Sequence, residues 1–394
     1  MTASVIRMHP VNPVDDKDAA ILDAVRRFLE REVRPVARQL EHEDTWPADI
    51  VEKMKDMGLF GCIIAEEYGG LGLSALTYAK IIESISEVWM SISGIINSHL
   101  IMAAAVQRAG TAEQKQRFLP KFASGEIRGG LALTEPDCGT DLQAVRTAAR
   151  RDGDRHYRIN GTKTWISNGI HGSAFAVLVK TDTEAEPRHK GMSLFVCEKG
   201  PGFSASRKLE KLGYKGIDSA ELVFDDYRIS EDNLIGGVEG RGMQHVLAGL
   251  ELGRINVAAR GVGIARACLM ESVAYAQTRK TFGKPIAEHQ AIQIKLADMA
   301  TRVEASRLLV EQAARAYDRG ERCDMEAGMA KLFATEAAME NAQEAMRIHG
   351  AYGYSKELNI ERYYRDAPLL CIGEGTNELQ RIIIAQQLVK RNPA

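Results

Sequence analysis

None of the six cysteines, Cys62, Cys138, Cys197, Cys268, Cys323 and Cys371, stands in a C-x-x-C spacing. Thiols scattered this way suit neither a disulfide framework nor a zinc site. They read as reduced cysteines in a reducing compartment, with no metal expected. Cys371, three residues before Glu374, is open to two readings, a nucleophile or a small packing residue. No apolar run is expected to be long enough to span a bilayer. The N-terminal stretch MTASVIRMHPVNPVDDKDAA has no hydrophobic signal core and is too acidic for a mitochondrial transit peptide, so a cytoplasmic location is expected. The formal net charge of −2 gives no pull toward nucleic acid or an anionic membrane, and neither is expected as a partner. Internal repeats and low-complexity tracts are absent. So are a G-x-G-x-x-G after a strand-like run and a G-x-x-x-x-G-K-[ST], which means that any nucleotide cofactor is held in another way.

What is present is an ordinary globular composition, 45% hydrophobic and 26% charged over 394 residues, enough for two or three domains with real cores. Three textures follow one another. Up to about residue 128 the pattern is helical. Ile21, Leu22, Val25, Phe28, Leu29, Val33, Val36, Ala37 and Leu40 form one stripe at helical spacing, with Asp16 or Asp18 as its cap. A glycine-rich turn at Glu67 to Gly72 interrupts the helices, which resume from about Ser74 to Arg108. From about 129 to 235 short apolar runs recur between turn signals, at 131–133, 174–179, 192–196 and 222–224. Asn160-Gly161 predicts a type I′ hairpin between Tyr157 and Ile166. Strands closing on themselves predict a small barrel or sandwich. The remainder is helical again, with only Pro285, Pro368 and Pro393 to interrupt it, and Ile292, Leu296, Met299, Val303 and Val310 are spaced for an antiparallel bundle. Helices, then strands, then helices is an α+β arrangement, divided at 1–128, 129–235 and 236–394. It excludes a Rossmann fold, in which the two alternate throughout.

Four segments can carry chemistry. The first, Leu133 to Asp141 (LTEPDCGTD), ends a strand-like run with hydroxyls, a proline and a glycine. It is either a loop that aims N–H groups and hydroxyls at a polar ligand or an ordinary strand-exit turn. The second, Lys163 to Gly169 (KTWISNG), places a tryptophan before hydroxyl and amide groups. Trp165 either covers an aromatic ring or fills a core. In the third, Arg279 to Pro285 (RKTFGKP) with His289-Gln290 downstream, an arginine can grip a pyrophosphate and a phenylalanine can stack; a basic interhelical loop is the other reading. The fourth sets Glu374 between Gly373 and Gly375, ahead of Thr376, Asn377 and Glu378. Flanking glycines allow close approach of a ligand, and a desolvated carboxylate there is a candidate base; a solvated capping loop is equally open.

Taken together and in this order, these segments resemble the acyl-CoA dehydrogenase family over residues 18–390. The resemblance rests on the L-T-E-P…G-[ST]-D loop, K-x-W-I-[ST], R-x-x-F-G with a downstream H-Q, and E-G-T. It implies an N-terminal helical domain, a middle β-barrel domain and a C-terminal four-helix bundle. It also implies FAD as cofactor, a homotetramer, an acyl-CoA substrate from fatty or branched acyl metabolism, and an electron-transfer flavoprotein as acceptor. Leu133, Thr134, Gly139 and Thr140 would then touch the flavin or its ribityl chain, Thr140 also lying near the CoA. Trp165, Ile166 and Ser167 would line the isoalloxazine, with the Ser167 hydroxyl near N5. Arg279, Thr281, Phe282, His289 and Gln290 would bind the pyrophosphate and adenine side. Thr376 and Glu378 would lie near the cofactor as well. Glu374 would be the base that removes the α-proton while the β-hydride passes to flavin N5, with its own N–H helping to hold the thioester oxygen. Arg254 would stand near the active site, Glu251 against the CoA, and Gly373 and Gly375 in the substrate pocket.

The departures from the family pattern are informative. Some members place the base where this chain has Gly253, which has no group to offer. Gly373 replaces an aromatic residue and should reshape the acyl pocket. The last FAD segment reads Arg347-Ile348-His349-Gly350-Ala351, which leaves Arg347 and Gly350 as candidate contacts. Met90 stands where glutaryl-CoA dehydrogenases carry an arginine, which disfavours that substrate. Lys215 in Gly213-Tyr214-Lys215-Gly216 meets either an acyl carboxylate or solvent. Four other functions are open: an enoyl-CoA reductase running backward, a carrier-bound acyl dehydrogenase, a flavin oxidase and a non-enzymatic helical binding protein. The last predicts a basic surface and gives Glu374 no task.

Overall fold

The structure is a computed structural model that describes residues 16–393; the first fifteen residues, most of the stretch read for a leader, lie outside the described part. Helices α1 (Asp16–Phe28), α2 (Arg34–His42), α3 (Ala48–Asp56), α4 (Ala75–Ala109) and α5 (Ala112–Ala123) come first. Strands β1 (Gly129–Ala132), β2 (Ala148–Arg151), β3 (His156–Ser167), β4 (Ala174–Lys180), β5 (Met192–Glu198), β6 (Phe203–Lys208) and β7 (Ser219–Ser230) follow. Then come α6 (Gly242–Thr278), the short strands β8 (Lys280–Thr281) and β9 (Lys284–Pro285), α7 (Gln290–Asp318), α8 (Asp324–His349), α9 (Ala351–Tyr354), α10 (Ile360–Ile372) and α11 (Asn377–Arg391). The α+β class expected from the sequence is the class observed.

The chain packs as two compact units: one contains Gln39–Leu73 and Ser91–Gly253, the other the residues up to Arg38, Ser74–Met90 and Arg254–Ala394. The first unit is built on a seven-stranded mixed sheet in the order β1-β4-β2-β3-β7-β6, with β5 joining β4. Every strand sends side chains into one core, among them Ala132, Ala149, Tyr157, Ile159, Phe175, Phe195, Phe203 and Phe224. That is the arrangement of a sheet curled around its own interior. Thr111 and Gln114 form a capping box at the start of α5. The same Gln114 donates to Asp232 O and Leu234 O, tying the helix to the end of the sheet.

The hairpin expected at Asn160-Gly161 is not formed. Both residues lie inside β3, which pairs with β7 from His156↔Ser230 to Ser167↔Ser219 with a register shift between Ile159 and Gly161. Of the two, only Gly161 takes a positive φ, at 145°. A side chain there would come within 2.5 Å of Thr147 Oγ1, and Asn160 Oδ1 accepts from Asp226 N at 2.8 Å. The dipeptide marks a bulge that bends a long strand, not a reversal.

The second unit is helical. The stripe from Leu22 to Ala37 is buried, with Ile21, Val36 and Leu40 half-buried, but a π-helical turn over Leu29–Val33 separates α1 from α2. Asp18 lies in the first turn of α1, and its carboxylate accepts the Thr77 hydroxyl of α4. Alanines 327, 330, 334, 337, 338, 342 and 345 bury one face of α8, and small side chains let neighbouring backbones approach closely. A Cβ on Gly261 of α6 would lie 2.6 Å from Ala334 O. Buried Asn341 donates to Ala265 O and Met299 O and so links α6, α7 and α8. On α7 the expected stripe is buried from Met299 onward, while Ile292 and Leu296 stay half-buried.

Contrary to the sequence expectation, α4 is long and apolar enough to cross a membrane by length and composition. Its most apolar window is 94% buried, which marks a core helix. It breaks at Trp89, whose φ of −158° and ψ of 102° are not helical. Next to the break, Val88 O accepts from buried Arg362 at 2.7 Å, so a side chain from α10 satisfies backbone that the kink would strand.

A Cβ on Gly129 would lie 1.5 Å from Ala174 O across the parallel β1–β4 pair. Gly129→Ala should therefore lower stability by about 1–3 kcal/mol or more. Gly200→Ala, where a Cβ meets nothing within 4 Å, should stay within about 0.5 kcal/mol of wild type. Urea unfolding midpoints compare the two.

Candidate functional site

In the sheet unit, two of the four segments are stitched together at the end of β1 and the end of β3. Thr164 N donates to Thr134 O at 2.9 Å. Lys163 Nζ donates to Leu133 O at 3.0 Å and to Glu135 Oε1 at 2.7 Å. Glu135 also accepts from the main-chain N–H groups of Arg146, at 2.6 Å, and Thr147, at 3.0 Å. Lys163 is 0% and Glu135 6% exposed. A buried pair is tolerable only when its remaining lone pairs and protons find partners; both Glu135 oxygens do so here, and Lys163 has a second acceptor in Leu133 O. Burial pushes the Glu135 carboxyl upward, but the charge and hydrogen bond of Lys163 and the N–H donors outweigh it and hold the group below its ordinary value.

This staple settles the reading of Trp165. The β3–β7 register shifts again between Lys163 and Ile166, and Trp165 sits on that bulge with φ 59°. It is 57% exposed, so it is not a core tryptophan. A left-handed backbone on a bulky residue is costly and points to a local task. Thr134, Gly139 and Trp165 border one cavity of about 450 Å³, together with Arg207 and Leu209. The other expected contacts in this unit lie elsewhere or differently. Ile166 belongs to the sheet core, so only its main chain is available. Ser167 closes the ladder opposite Ser219. Leu133 is half-buried and Thr140 exposed. Glu251 stands 3.6 Å from Arg108. Lys215 is half-buried, and Gly216 N beside it donates to Asp44 Oδ1.

In the helical unit, Glu374 sits in the turn between α10 and α11. Its φ is 57° and that of Gly375 is 84°. The next residue, Thr376, caps α11 by accepting Leu379 N at 3.3 Å. Glu374 and both flanking glycines are half-buried, which rules out the freely solvated capping loop. A Cβ at Gly373 would meet only Leu369 O, at 3.5 Å, an ordinary contact, so the backbone there does not itself require glycine. Glu378 is exposed in the first turn of α11. Its carboxyl is held below the ordinary value by its own N–H and by Thr376. Arg254 is 6% exposed and 3.8 Å from Asp324, and its Nε has no partner among the described residues.

The type I′ geometry expected at Asn160-Gly161 appears instead at Phe282-Gly283, where φ is 51° and 82° in the turn joining β8 to β9. Phe282 is 96% exposed at its tip. Thr281 Oγ1 and His289 Nε2 are 3.1 Å apart, and the His289 ring stands edge-on to Phe282. Arg279 and Gln290 are exposed, and among the described residues no carboxylate pairs with Arg279. Arg347 is committed to Glu344 at 2.7 Å. Gly350 ends α8 with φ 60° and ψ −135°. The sequence reading missed Lys163 and Lys331, the two buried lysines that hold these loops. For Lys331 the only signal is a lysine set between Ala330 and Leu332; Lys163 stands between two threonines and is marked only as the first residue of the K-x-W-I-[ST] motif.

Three family profiles match in order: the acyl-CoA dehydrogenase N-terminal domain over residues 15–126, the middle domain over 130–227 and the C-terminal domain over 240–389. The chain is 41% identical over 367 residues to an acyl-CoA dehydrogenase of Bacillus subtilis, covering 93% of this chain and 96% of that one. It is also 41% identical over 368 residues to an acryloyl-CoA reductase (NADH) of Anaerotignum propionicum, covering 93% of each. Its structure superimposes on butyryl-CoA dehydrogenase from Megasphaera elsdenii with a TM-score of 0.93 at 33% identity, covering 96% of this chain and all of the other. The chain belongs to the acyl-CoA dehydrogenase family. It is an oxidoreductase, and the family's members are FAD-dependent flavoproteins.

The residues present fit that cofactor. Around the cavity in the sheet unit, an exposed indole, a threonine hydroxyl and the open backbone of Gly139 offer a ring plane with hydrogen-bonding groups beside it. In the helical unit, Arg279, without a carboxylate partner among the described residues, and the Thr281–His289 pair are a donor set for a pyrophosphate, next to an exposed phenylalanine.

Lys163→Met would leave Glu135 charged, buried and unpaired, at a cost of about 3–5 kcal/mol. With its carboxyl held low, wild-type Glu135 adds stability above the ordinary carboxylate range and loses it as pH falls through the lowered folded value. In the variant only the N–H donors of Arg146 and Thr147 oppose burial, so the carboxyl sits higher than in wild type. The deficit should therefore be largest at neutral pH and shrink in acid. Unfolding midpoints of both proteins across pH check this.

Proposed function

We propose that this enzyme dehydrogenates an acyl-CoA thioester between its α and β carbons to give the trans-2-enoyl-CoA, with Glu374 as base. The observation that carries the reading is the Glu374 turn: a half-buried carboxylate in a left-handed conformation, flanked by glycines and pinned from beneath. A thioester α-hydrogen is weakly acidic. Removing it takes a carboxylate in fixed position and N–H donors for the charge that develops on the carbonyl oxygen. Glu374 supplies the first, and its own N–H is one of the second. General base catalysis of this kind contributes roughly 10²–10⁴-fold.

FAD, when bound, supplies the hydride acceptor for the β-hydrogen. Thr134, Gly139, Thr140, Trp165 and Ser167, with the backbone of Leu133 and Ile166, hold its ring and ribityl chain. Arg279, Thr281, Phe282, His289 and Gln290 hold its pyrophosphate and adenine side, with Arg347, Gly350, Thr376 and Glu378 as further contacts. Arg254, Glu251, Gly373 and Gly375 serve the substrate. The lack of a side chain at Gly373 supports an acyl pocket wider than an aromatic neighbour would leave. The domain limits 1–128, 129–235 and 236–394, a homotetramer, a cytoplasmic location and an electron-transfer flavoprotein as acceptor complete the proposal. The similarity to an acryloyl-CoA reductase favours a second reading, the same proton and hydride transfers run in reverse.

Glu374→Gln should remain yellow, with FAD bound, yet fail to bleach under anaerobic acyl-CoA; full bleaching would remove the base assignment. Arg279→Ala should lose flavin on dialysis, and stoichiometric retention would refute the pyrophosphate role. Bleaching across a panel of straight, branched and cyclic acyl-CoAs identifies the substrate, and reoxidation by enoyl-CoA reports the direction.

A further inference from the structure

The turn that carries Glu374 is held by a single buried cation from another helix. Lys331 lies on the alanine-lined face of α8, between Ala327, Ala330 and Ala334, and is 0% exposed. Its Nζ donates to Cys371 O at 3.2 Å, to Gly375 O at 2.9 Å and to Asn377 Oδ1 at 2.7 Å. Those acceptors bracket Glu374, one before it and two after. Asn377 is held in turn by Thr335 and Glu336 of α8, and Gln380 Nε2 donates to Gly375 O at 3.2 Å.

We propose that Lys331 is a positioning residue for the Glu374 base, its ammonium clamping the turn on both sides of the carboxylate and fixing where that carboxylate sits. The proposal rests on the reading of Glu374 as the base. Two physical facts support it. A left-handed conformation disfavours a residue with a side chain by roughly 1–2 kcal/mol, so this turn needs an external restraint to persist. A lysine buried among alanines is costly in itself, and a residue needed only to fill space would be apolar.

Charge gives the clamp a second effect. Burial pulls the Lys331 ammonium down to about 8, against the opposing influence of Cys371 on α10, Glu374 in the turn, Glu336 on its own helix and Glu378 on α11. Coulombic coupling is mutual. The cation that Glu374 helps to keep protonated therefore helps to keep Glu374 ionised, the form a base requires.

The test uses the full-length, FAD-loaded protein and the acyl-CoA that bleaches wild type fastest. Three quantities are followed across pH: exchange of the substrate α-hydrogen in D₂O, anaerobic flavin reduction, and binding of the same acyl-CoA. Lys331→Met should keep FAD and bind acyl-CoA as wild type does. Both α-hydrogen exchange and reduction should slow by roughly 10²-fold, the loss that a small misplacement of a reacting group produces. The acid limb of its rate profile should move to higher pH, because Glu374 has lost its cation, and any limb near 8 should vanish. A purely structural lysine would leave the profile in place. Loss of rate that merely tracks lost FAD or lost acyl-CoA binding, with the profile unmoved, overturns the proposal. So does wild-type exchange in Lys331→Met while Glu374→Gln is inactive, a result that leaves the base assignment standing. Wild-type exchange in Glu374→Gln removes both. If Lys331→Met does not fold, Lys331→Gln, which keeps a donor without the charge, is judged by the same criteria.

Discussion

An ammonium group taken out of water must find oxygen acceptors for its N–H bonds, and the acceptors it finds are held in place. That constraint operates at both places where this protein carries its candidate chemistry. In the sheet unit, Lys163 gathers Leu133 O and the Glu135 carboxylate, which locks the loop after β1 against the end of β3. In the helical unit, Lys331 gathers Cys371 O, Gly375 O and the Asn377 side chain, which locks the turn between α10 and α11. A hydrophobic side chain of similar size would fill either place, but it would take a donor away from each of those acceptors and loosen those loops.

Left-handed backbone on residues with side chains occurs at Asp44, Tyr214 and Asp226 and also at four residues of the candidate segments. Trp165, Asn168, Phe282 and Glu374 all have positive φ, and all lie in the segments that the family motifs single out. Trp165 and Phe282 are also among the most exposed large apolar residues of the chain. Strain together with an exposed aromatic surface is unfavourable for an isolated chain and is consistent with surfaces made to receive a planar cofactor. The architecture around them is conventional: a sheet curled on an aromatic core, and helices brought close by alanine and glycine.

Much of this was legible in the residues. The helical stripe from Leu22 to Ala37, the apolar runs of β4 and β5, and the order of helices and strands depend on local periodicity, which hydrophobic patterning reports directly. Asn160-Gly161 misled for a physical reason. A glycine with positive φ serves a bulge as well as a turn, and which one forms depends on β7 lying alongside β3 for the whole of its length. Helix α4 misled in the other direction: scattered polar residues hid a helix apolar enough for a membrane, whose burial depends on its neighbours.

The sequence by itself determined the class of fold, the family and the identity of the carboxylate to suspect, because those rest on residue order and short motifs. Tertiary structure alone decided that Trp165 projects from a bulge while Ile166 turns into the core, and that Phe282 caps a strained hairpin. It alone decided that Glu374 sits in a turn held by a lysine 43 positions earlier in the chain. Lys163 and Lys331 are ordinary lysines on paper. They become fixed points only when burial removes water and the acceptors they meet come from segments distant in sequence, and no local pattern encodes that.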